Sequence, residues 1–166
     1  MVCSVSVFAQ KRSLQLGLGS SFLGTGDIFA GVFEAEFGYK FNPYISTGFG
    51  INSALGYRNI ELREYATYHQ GNANIFVSPF RNDGQVDFKL GTGVSTNYII
   101  EKHIDMLSSF FPTYINESRF AVGLNMIVES SFRLNENVFL GIKGFVQPYV
   151  NGDIHSGILL KIGKTL

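Results

Sequence analysis

The chain has 166 residues, with Lys+Arg at 13 against Asp+Glu at 13, so its formal net charge is zero. That balance speaks against a nucleic-acid partner, which needs a basic face to neutralise phosphates. A hydrophobic content of 45% excludes disorder, and the one cysteine, Cys3, excludes both a disulfide framework and a cysteine-based metal site.

In chain order, residues 1–10 read MVCSVSVFAQ. Val7-Phe8-Ala9 before Gln10 has the small residues of a signal-peptidase site, so this segment reads as the remnant of a secretory signal, with one domain over residues 11–166. No run of 18 apolar residues follows, which removes a membrane-spanning helix and leaves a secreted soluble protein or a transmembrane β-barrel.

From residue 11 onward the dominant signal is alternation with a period of two. Leu14, Leu16, Leu18 and Phe22 alternate with Gln15, Gly17 and Gly19. Phe29, Phe33, Phe37, Tyr39 and Phe41 alternate with Glu34, Glu36 and Lys40. Ile45, Phe49, Ile51, Leu55 and Tyr57 oppose Gly48, Gly50, Asn52 and Arg58. A shorter stretch sets Ala73, Ile75 and Val77 against Asn72, Asn74 and Ser78. Val86, Phe88, Leu90, Val94 and Tyr98 oppose Asp87, Lys89, Gly91 and Asn97. Phe120, Val122, Leu124, Met126, Val128 and Phe132 oppose Arg119, Asn125, Glu129 and Arg133. Val138, Leu140, Ile142 and Val146 oppose Lys143 and Gln147. Ile158, Leu160 and Ile162 alternate with Gly157 and Lys161. Eight strands are predicted, and in the five clearest all ten charged residues fall on one parity.

Tight turns are expected at Asn42-Pro43, Asn82-Asp83-Gly84 and Asn135-Glu136-Asn137. The connections on the other side are expected to be long at 58–71 and 101–118 and short at 24–27 and 151–153. Short turns on one side and longer loops on the other match a transmembrane barrel, with both termini on the tight-turn side. Pro79 and Pro148 are then expected at strand ends, because proline removes a ladder donor.

The polar face chooses between a barrel with a greasy exterior and one with a greasy cavity. It is made of Gly, Ser and Asn with a few charges of both signs, which is poor cover against water but suits a narrow crowded interior. Glu34, Glu36, Asp87 and Glu129 are expected to pair there with Lys89, Arg119, Arg133, Lys143 and Lys161, since unpaired buried charges are costly. The apolar face is bulky and nearly free of charge. Lys164 is its exception, at a strand end where it can snorkel. Aromatics near both strand ends suggest two interfacial girdles. The expected fold class is therefore all-β, an eight-stranded antiparallel up-and-down transmembrane β-barrel.

The hairpin pattern and the last strand resemble the small eight-stranded outer-membrane barrels of Gram-negative bacteria, the OmpA/OmpX-like or "porin family" domain. Ser156-Gly157-Ile158-Leu159-Leu160-Lys161-Ile162 is similar to that family's C-terminal assembly signal, with Gly157, Leu160 and Ile162 at the matching positions. The resemblance implies an outer-membrane location, with outer-membrane lipids and the assembly machinery as partners. It also implies a structural, adhesive or surface-interaction role presented by the loops to an extracellular partner. An eight-stranded barrel has an interior that side chains fill, so no general pore is expected.

No cofactor, metal or catalytic residue is expected. His69 and His103 fall in predicted loops, His155 opens the last strand, and none has metal-ligand spacing. Glu34 and Glu36, two apart on one face, suit an ion-pair network better than an acid/base pair. The stretch Ile100, Ile104, Leu107, Phe111 has helical spacing and reads as an interfacial helix, a partner-binding patch or a strand extension. Two rival functions stay open. A lipid-modifying acyltransferase or deacylase would need a Ser–His pair at the lipid-facing rim, with His103, Ser108 and Ser109 as candidates. A soluble ligand carrier would place the phenylalanines inside.

Overall fold

The computed structural model describes residues 11–24, 28–59, 64–80, 85–105 and 113–166. The signal-like segment 1–10, the Asn82-Asp83-Gly84 turn, and Leu107, Ser108, Ser109 and Phe111 lie outside the described residues.

Within them, eight strands run in order: β1 (Lys11–Leu23), β2 (Ile28–Lys40), β3 (Ile45–Asn59), β4 (Glu64–Val77), β5 (Val86–Asp105), β6 (Thr113–Arg133), β7 (Val138–Pro148) and β8 (Ile154–Thr165). Each pairs antiparallel with its chain neighbours, and β8 returns to β1, for instance at Leu18↔Leu160 and Leu16↔Ile162. The sheet is thus a closed barrel, and closure leaves no edge over the height at which all eight strands pair.

Two of the tight turns use one device. Asn42 Oδ1 accepts from the N–H groups of Tyr44 and Ile45, both at 2.8 Å. Asn135 Oδ1 accepts from those of Asn137 (3.0 Å) and Val138 (2.8 Å). In each case a short amide side chain replaces the backbone partner that the turn removes. At the opposite end Gly24 (φ 66°) and Gly152 (φ 89°) take the left-handed conformation that their short connections require. Pro148 is the last residue of β7, and Pro79 lies just past β4.

The side-chain directions decide which face meets what. Phe33 and Phe49 are 46% and 57% exposed on the outer wall, whereas Glu34 and Asn52 are 1% and 2% exposed and point inward. Around the barrel the outer belt is Leu, Ile, Val, Phe and Met. A wall that apolar would be unfavourable in water and is what hydrocarbon requires. Aromatic pairs mark both ends of it: Phe22–Phe29 and Tyr57–Tyr65 join neighbouring strands at the long-connection end, and Tyr39–Phe41 lies along the end of β2 at the tight turns. Among the described residues no helix is long and apolar enough to cross a membrane.

Three expectations need correction. Most of segment 58–71 is strand, because β3 runs to Asn59 and β4 begins at Glu64. Its alternation is inverted: Ala66 and Tyr68 are buried inside while Thr67 and His69 face outward, so an apolar-out template misses it. Most of 101–118 is also strand, because β5 reaches Asp105 and β6 starts at Thr113. Ile100 and Ile104 therefore lie in β5 and form no helix. Above an apolar belt both sheet faces meet water, so the period-two contrast fades while the hydrogen-bonded ladder continues. His69 and His103, expected in loops, are strand residues.

Large inward side chains lie over glycines. The Phe76 ring fits between Gly48 and Gly91, and a Cβ at Gly91 would fall 2.6 Å from two of its carbons. Gly91→Ala is expected to destabilise the barrel by about 1–3 kcal/mol through overpacking. Phe76→Leu in the same chain should recover part of that loss in urea unfolding, and no recovery would place the strain elsewhere.

Candidate functional site: the filled lumen

Inward positions of the strands stack into three layers. Nearest the tight turns is an ionic layer. Lys143 Nζ donates to Glu34 Oε1 (2.9 Å) and Oε2 (2.7 Å) and to Glu36 Oε2 (2.9 Å). Lys161 Nζ donates to Glu36 Oε1 (3.1 Å) and Glu129 Oε2 (2.8 Å). Lys89 Nζ joins Glu129 (3.4 Å) to Asp87 (3.5 Å). Glu34, Glu36, Glu129, Lys143 and Lys161 are all buried. Five strands, β2, β5, β6, β7 and β8, are thus tied together across the bore. Three ammonium groups face three deep carboxylates, with Asp87 nearer the mouth, so charge is nearly neutralised in place. That compensation is the condition on which buried ions are tolerated.

Above it lies an amide layer. Asn52, in the amide orientation that satisfies both its ends, donates to Glu34 Oε2 at 3.1 Å and so links the two layers. Asn125 Nδ2 donates to Asn74 Oδ1 at 2.7 Å and to Asn72 Oδ1 at 3.3 Å. Gln70 Nε2 donates to Gln147 Oε1 and to the Tyr149 hydroxyl, which is also 2.6 Å from Ser95 Oγ. The top layer is apolar and aromatic. Leu23, Ile28, Val32, Ala66, Tyr68 and Leu159 are buried there, and the His155 ring sits 5.1 Å from that of Tyr68 and 4.9 Å from that of Tyr149. Below the ionic layer a cavity of about 350 Å³ opens at the tight-turn end, lined by Arg12, Lys40, Asp87, Lys89 and Arg133 among others.

The residues expected to form one lumen network are therefore divided. Glu34, Glu36, Asp87, Lys89, Glu129, Lys143 and Lys161 meet. Arg119 does not: it is on the inward parity of β6 but stands above the filled bore, where it pairs with Glu117 (3.0 Å) and Glu101 (3.3 Å). Arg133 is on the same parity at the other end and is exposed at the cavity mouth. Parity gives a side chain's direction but not its height. Leu160 and Ile162 point outward from β8 at the seam with β1. Gly157 lies where a Cβ would fall 2.8 Å from Phe145 Cζ, so its lack of a side chain makes room for that ring.

The amide layer and the inward aromatics Tyr68, Phe76, Phe145 and Tyr149 were not anticipated as a group. Their signal was present as glycines on the inward parity of neighbouring strands, since a large inward ring needs an empty place opposite it. His69 is directed outward, with its Nδ1 3.0 Å from Ser53 Oγ. Among the described residues no group of three or more His, Cys, Asp or Glu side chains could hold a metal ion.

No family model matches the chain, and no curated protein does. Solved structures match over nearly its whole length. Neisserial surface protein A superposes with a TM-score of 0.68 at 13% identity, covering 93% of this chain and 96% of its own. Ail, the attachment invasion locus protein of Yersinia pestis, in complex with the heparin analogue sucrose octasulfate, gives 0.67 at 15%, covering 95% and 99%. A major outer membrane protein from Thermus thermophilus gives 0.66 at 15%, covering 95% and 100%. The fold is that of a small outer-membrane β-barrel. At such identities the shared property is the architecture, a closed barrel of eight antiparallel strands. The soluble-carrier alternative fails on the same ground, because the barrel's phenylalanines at 33 and 49 line the exterior and not a cavity.

Proposed function

We propose that this chain is an integral outer-membrane protein that catalyses no reaction, has no open general pore, and presents an interaction surface at its long-connection end. The observation that carries the proposal is the length of β5 and β6. They have 20 and 21 residues, against 11 to 15 for the other strands. Regular β6–β7 pairing stops at Met126↔Val146, with a last bridge at Gly123↔Tyr149 and a hydrogen bond from Val150 N to Val122 O. The β5–β6 ladder continues to Asp105↔Thr113. Over residues 114–121 the β7-facing side of β6 therefore has no strand partner among the described residues. Such an edge takes up an extended segment of another protein by main-chain hydrogen bonds.

The hairpin is stiffened by Arg119 between Glu101 and Glu117 and by Lys102 Nζ 4.4 Å above the Tyr114 ring. Ail was crystallised with a polyanion. Here each of these two cations is already engaged and carboxylates stand beside Arg119, so an extended peptide is the better-matched partner. The layered filling of the bore supports the absence of a pore. Leu160 and Ile162, outward on the closing strand, are the positions we assign to recognition by the assembly machinery, and the outer belt contacts outer-membrane lipids. The lipid-modifying alternative rests on Ser108, Ser109 and His103, whose side chains lie outside the described ones.

Replacing residues 101–117 by Asn-Gly closes the hairpin on the Ile100↔Ser118 pair and removes residues 114–117, the outer half of the edge. Cells displaying that variant are expected to lose at least about tenfold in adhesion to immobilised surface proteins, as the loss of a main-chain-paired interface implies. Heat-modifiable gel mobility should be unchanged. Undiminished adhesion would refute the edge, and step conductance in planar bilayers would refute the closed bore.

A further inference from the structure

The packed layers close the bore from above, but at the tight-turn end the cavity of about 350 Å³ opens below the ionic layer. That volume lies at the small end of the range for small-molecule sites. Its charge is unbalanced. In the ionic layer Lys89, Lys143 and Lys161 face Glu34, Glu36, Glu129 and Asp87. Nearer the mouth, Lys11, Lys40 and Arg133 join them on the inward parity of β1, β2 and β6. Glu36 and Asp87, already counted, are the only carboxylates in the cavity lining among the described residues. Cations therefore outnumber carboxylates in the lower bore, six to four among the described residues.

Two details of the lining point to a bound anion. Lys11 and Lys40 are direct register partners, and like charges directly opposite on neighbouring strands destabilise a sheet. An anion between them turns that repulsion into attraction. Across the bore, Arg133 has Phe139 as its register partner on β7 and bonds Gln85 O through its backbone N–H, so neither neighbour offers a charge to its guanidinium. The second detail is Gln15, inward on β1, in the cavity lining and only 4% exposed. Its Oε1 has no hydrogen-bond partner, and its Nε2 has Ser13 Oγ at 3.5 Å. A buried amide with an unmet end is costly.

The charge excess selects the kind of anion. A carboxylate brings one charge and two oxygens. A phosphate monoester brings roughly two charges near neutral pH and three terminal oxygens, enough to take hydrogen bonds from cations on several strands at once. It also meets Gln15 in either amide orientation, through a P–O–H given to Oε1 or an oxygen accepting from Nε2. The rings of Phe76 and Phe139 in the lining offer an apolar wall to the organic part. A cleft of one sign of charge with low-dielectric walls concentrates such counter-ions at its mouth. We infer that the cavity binds a phosphate monoester, held by Lys11, Lys40 and Arg133 with Gln15 at its inner side. It ends on the ionic layer, so it binds the ester and conducts nothing.

The probe is phenyl phosphate, titrated calorimetrically into the full chain refolded in zwitterionic micelles at low salt. One saturable site is expected, weakening as salt rises. Lys11→Gln and Arg133→Gln should each weaken it about tenfold, the low end for a hydrogen bond to a charged group. Lys164→Gln removes the same charge from the outer face of the same end, and should change affinity less than about twofold because its charge is screened by solvent. Heat-modifiable mobility should be the same for all of them. Absence of a saturable site, equal weakening by Lys164→Gln, or benzoate binding as tightly as phenyl phosphate would each overturn the inference. Vesicles separate the two sources of such an ester. Binding lost in phosphatidic acid vesicles but kept in phosphatidylglycerol vesicles of equal surface charge would assign the site to a lipid headgroup. Binding kept in both would assign it to a soluble ester, and either result supports a phosphate monoester in the cavity.

Discussion

Lys161→Met is expected to lower the unfolding free energy by about 3–5 kcal/mol, the usual cost of removing one partner from a buried ion pair. The reason is geometric. Lys161 stands 2.8 Å from Glu129 and 3.1 Å from Glu36, with Glu34 at 3.6 Å, and all four groups are buried. Without the ammonium, those carboxylates share Lys143 and Lys89 alone, and the buried layer holds a net negative charge. Adding Glu129→Gln restores the count, leaving two deep carboxylates against two lysines. The double variant should therefore recover more than half of the loss, a non-additivity that a double-mutant cycle resolves. Urea unfolding in vesicles, followed by the shift between folded and unfolded gel bands, measures both. A loss below about 1 kcal/mol for Lys161→Met would mean that solvent reaches this layer.

The second large effect concerns the other face. Ile51→Arg is expected to cost about 2–4 kcal/mol in vesicles, the penalty for a cation on the lipid side near the middle of a barrel strand. Ile51 is outward on β3, exposed, one outward position from Ser53 and opposite Ala35 and Gly71. An arginine there has no carboxylate beside it on those partner positions and too little reach to gain either interface fully. The same replacement at an exposed site facing water would fall within about 0.5 kcal/mol. Ser118→Arg, at an exposed position on the projecting part of β6 opposite Ile100, is the control and should be close to neutral. If the two variants cost the same, the outer wall does not face lipid.

Much of the fold is legible in the chain itself. The phenylalanines of β2 and the glutamates between them gave the strand, its faces and the sense of the barrel, because a wall between hydrocarbon and a packed bore must alternate at every residue. β4 was half lost for the same reason. Around Ala66 and Tyr68 the bore is itself apolar, so the contrast that marks a strand reverses there. The upper parts of β5 and β6 were lost because water lies on both of their faces. The ionic layer was partly legible. Seven of its expected members meet, whereas Arg119 and Arg133 share their direction but sit beyond the two ends of the packed bore.

What the sequence determined alone is the period, the charge balance and the asparagine-led turns. Each of these depends on neighbours a few residues apart, and together they specify eight strands with one greasy face. What only the tertiary structure decided is which distant residues meet. Lys143 finds Glu34 across 109 positions, and Lys161 finds Glu36 across 125. Barrel closure and strand stagger fix those heights, and they are properties of all eight strands together, carried by no local stretch of chain.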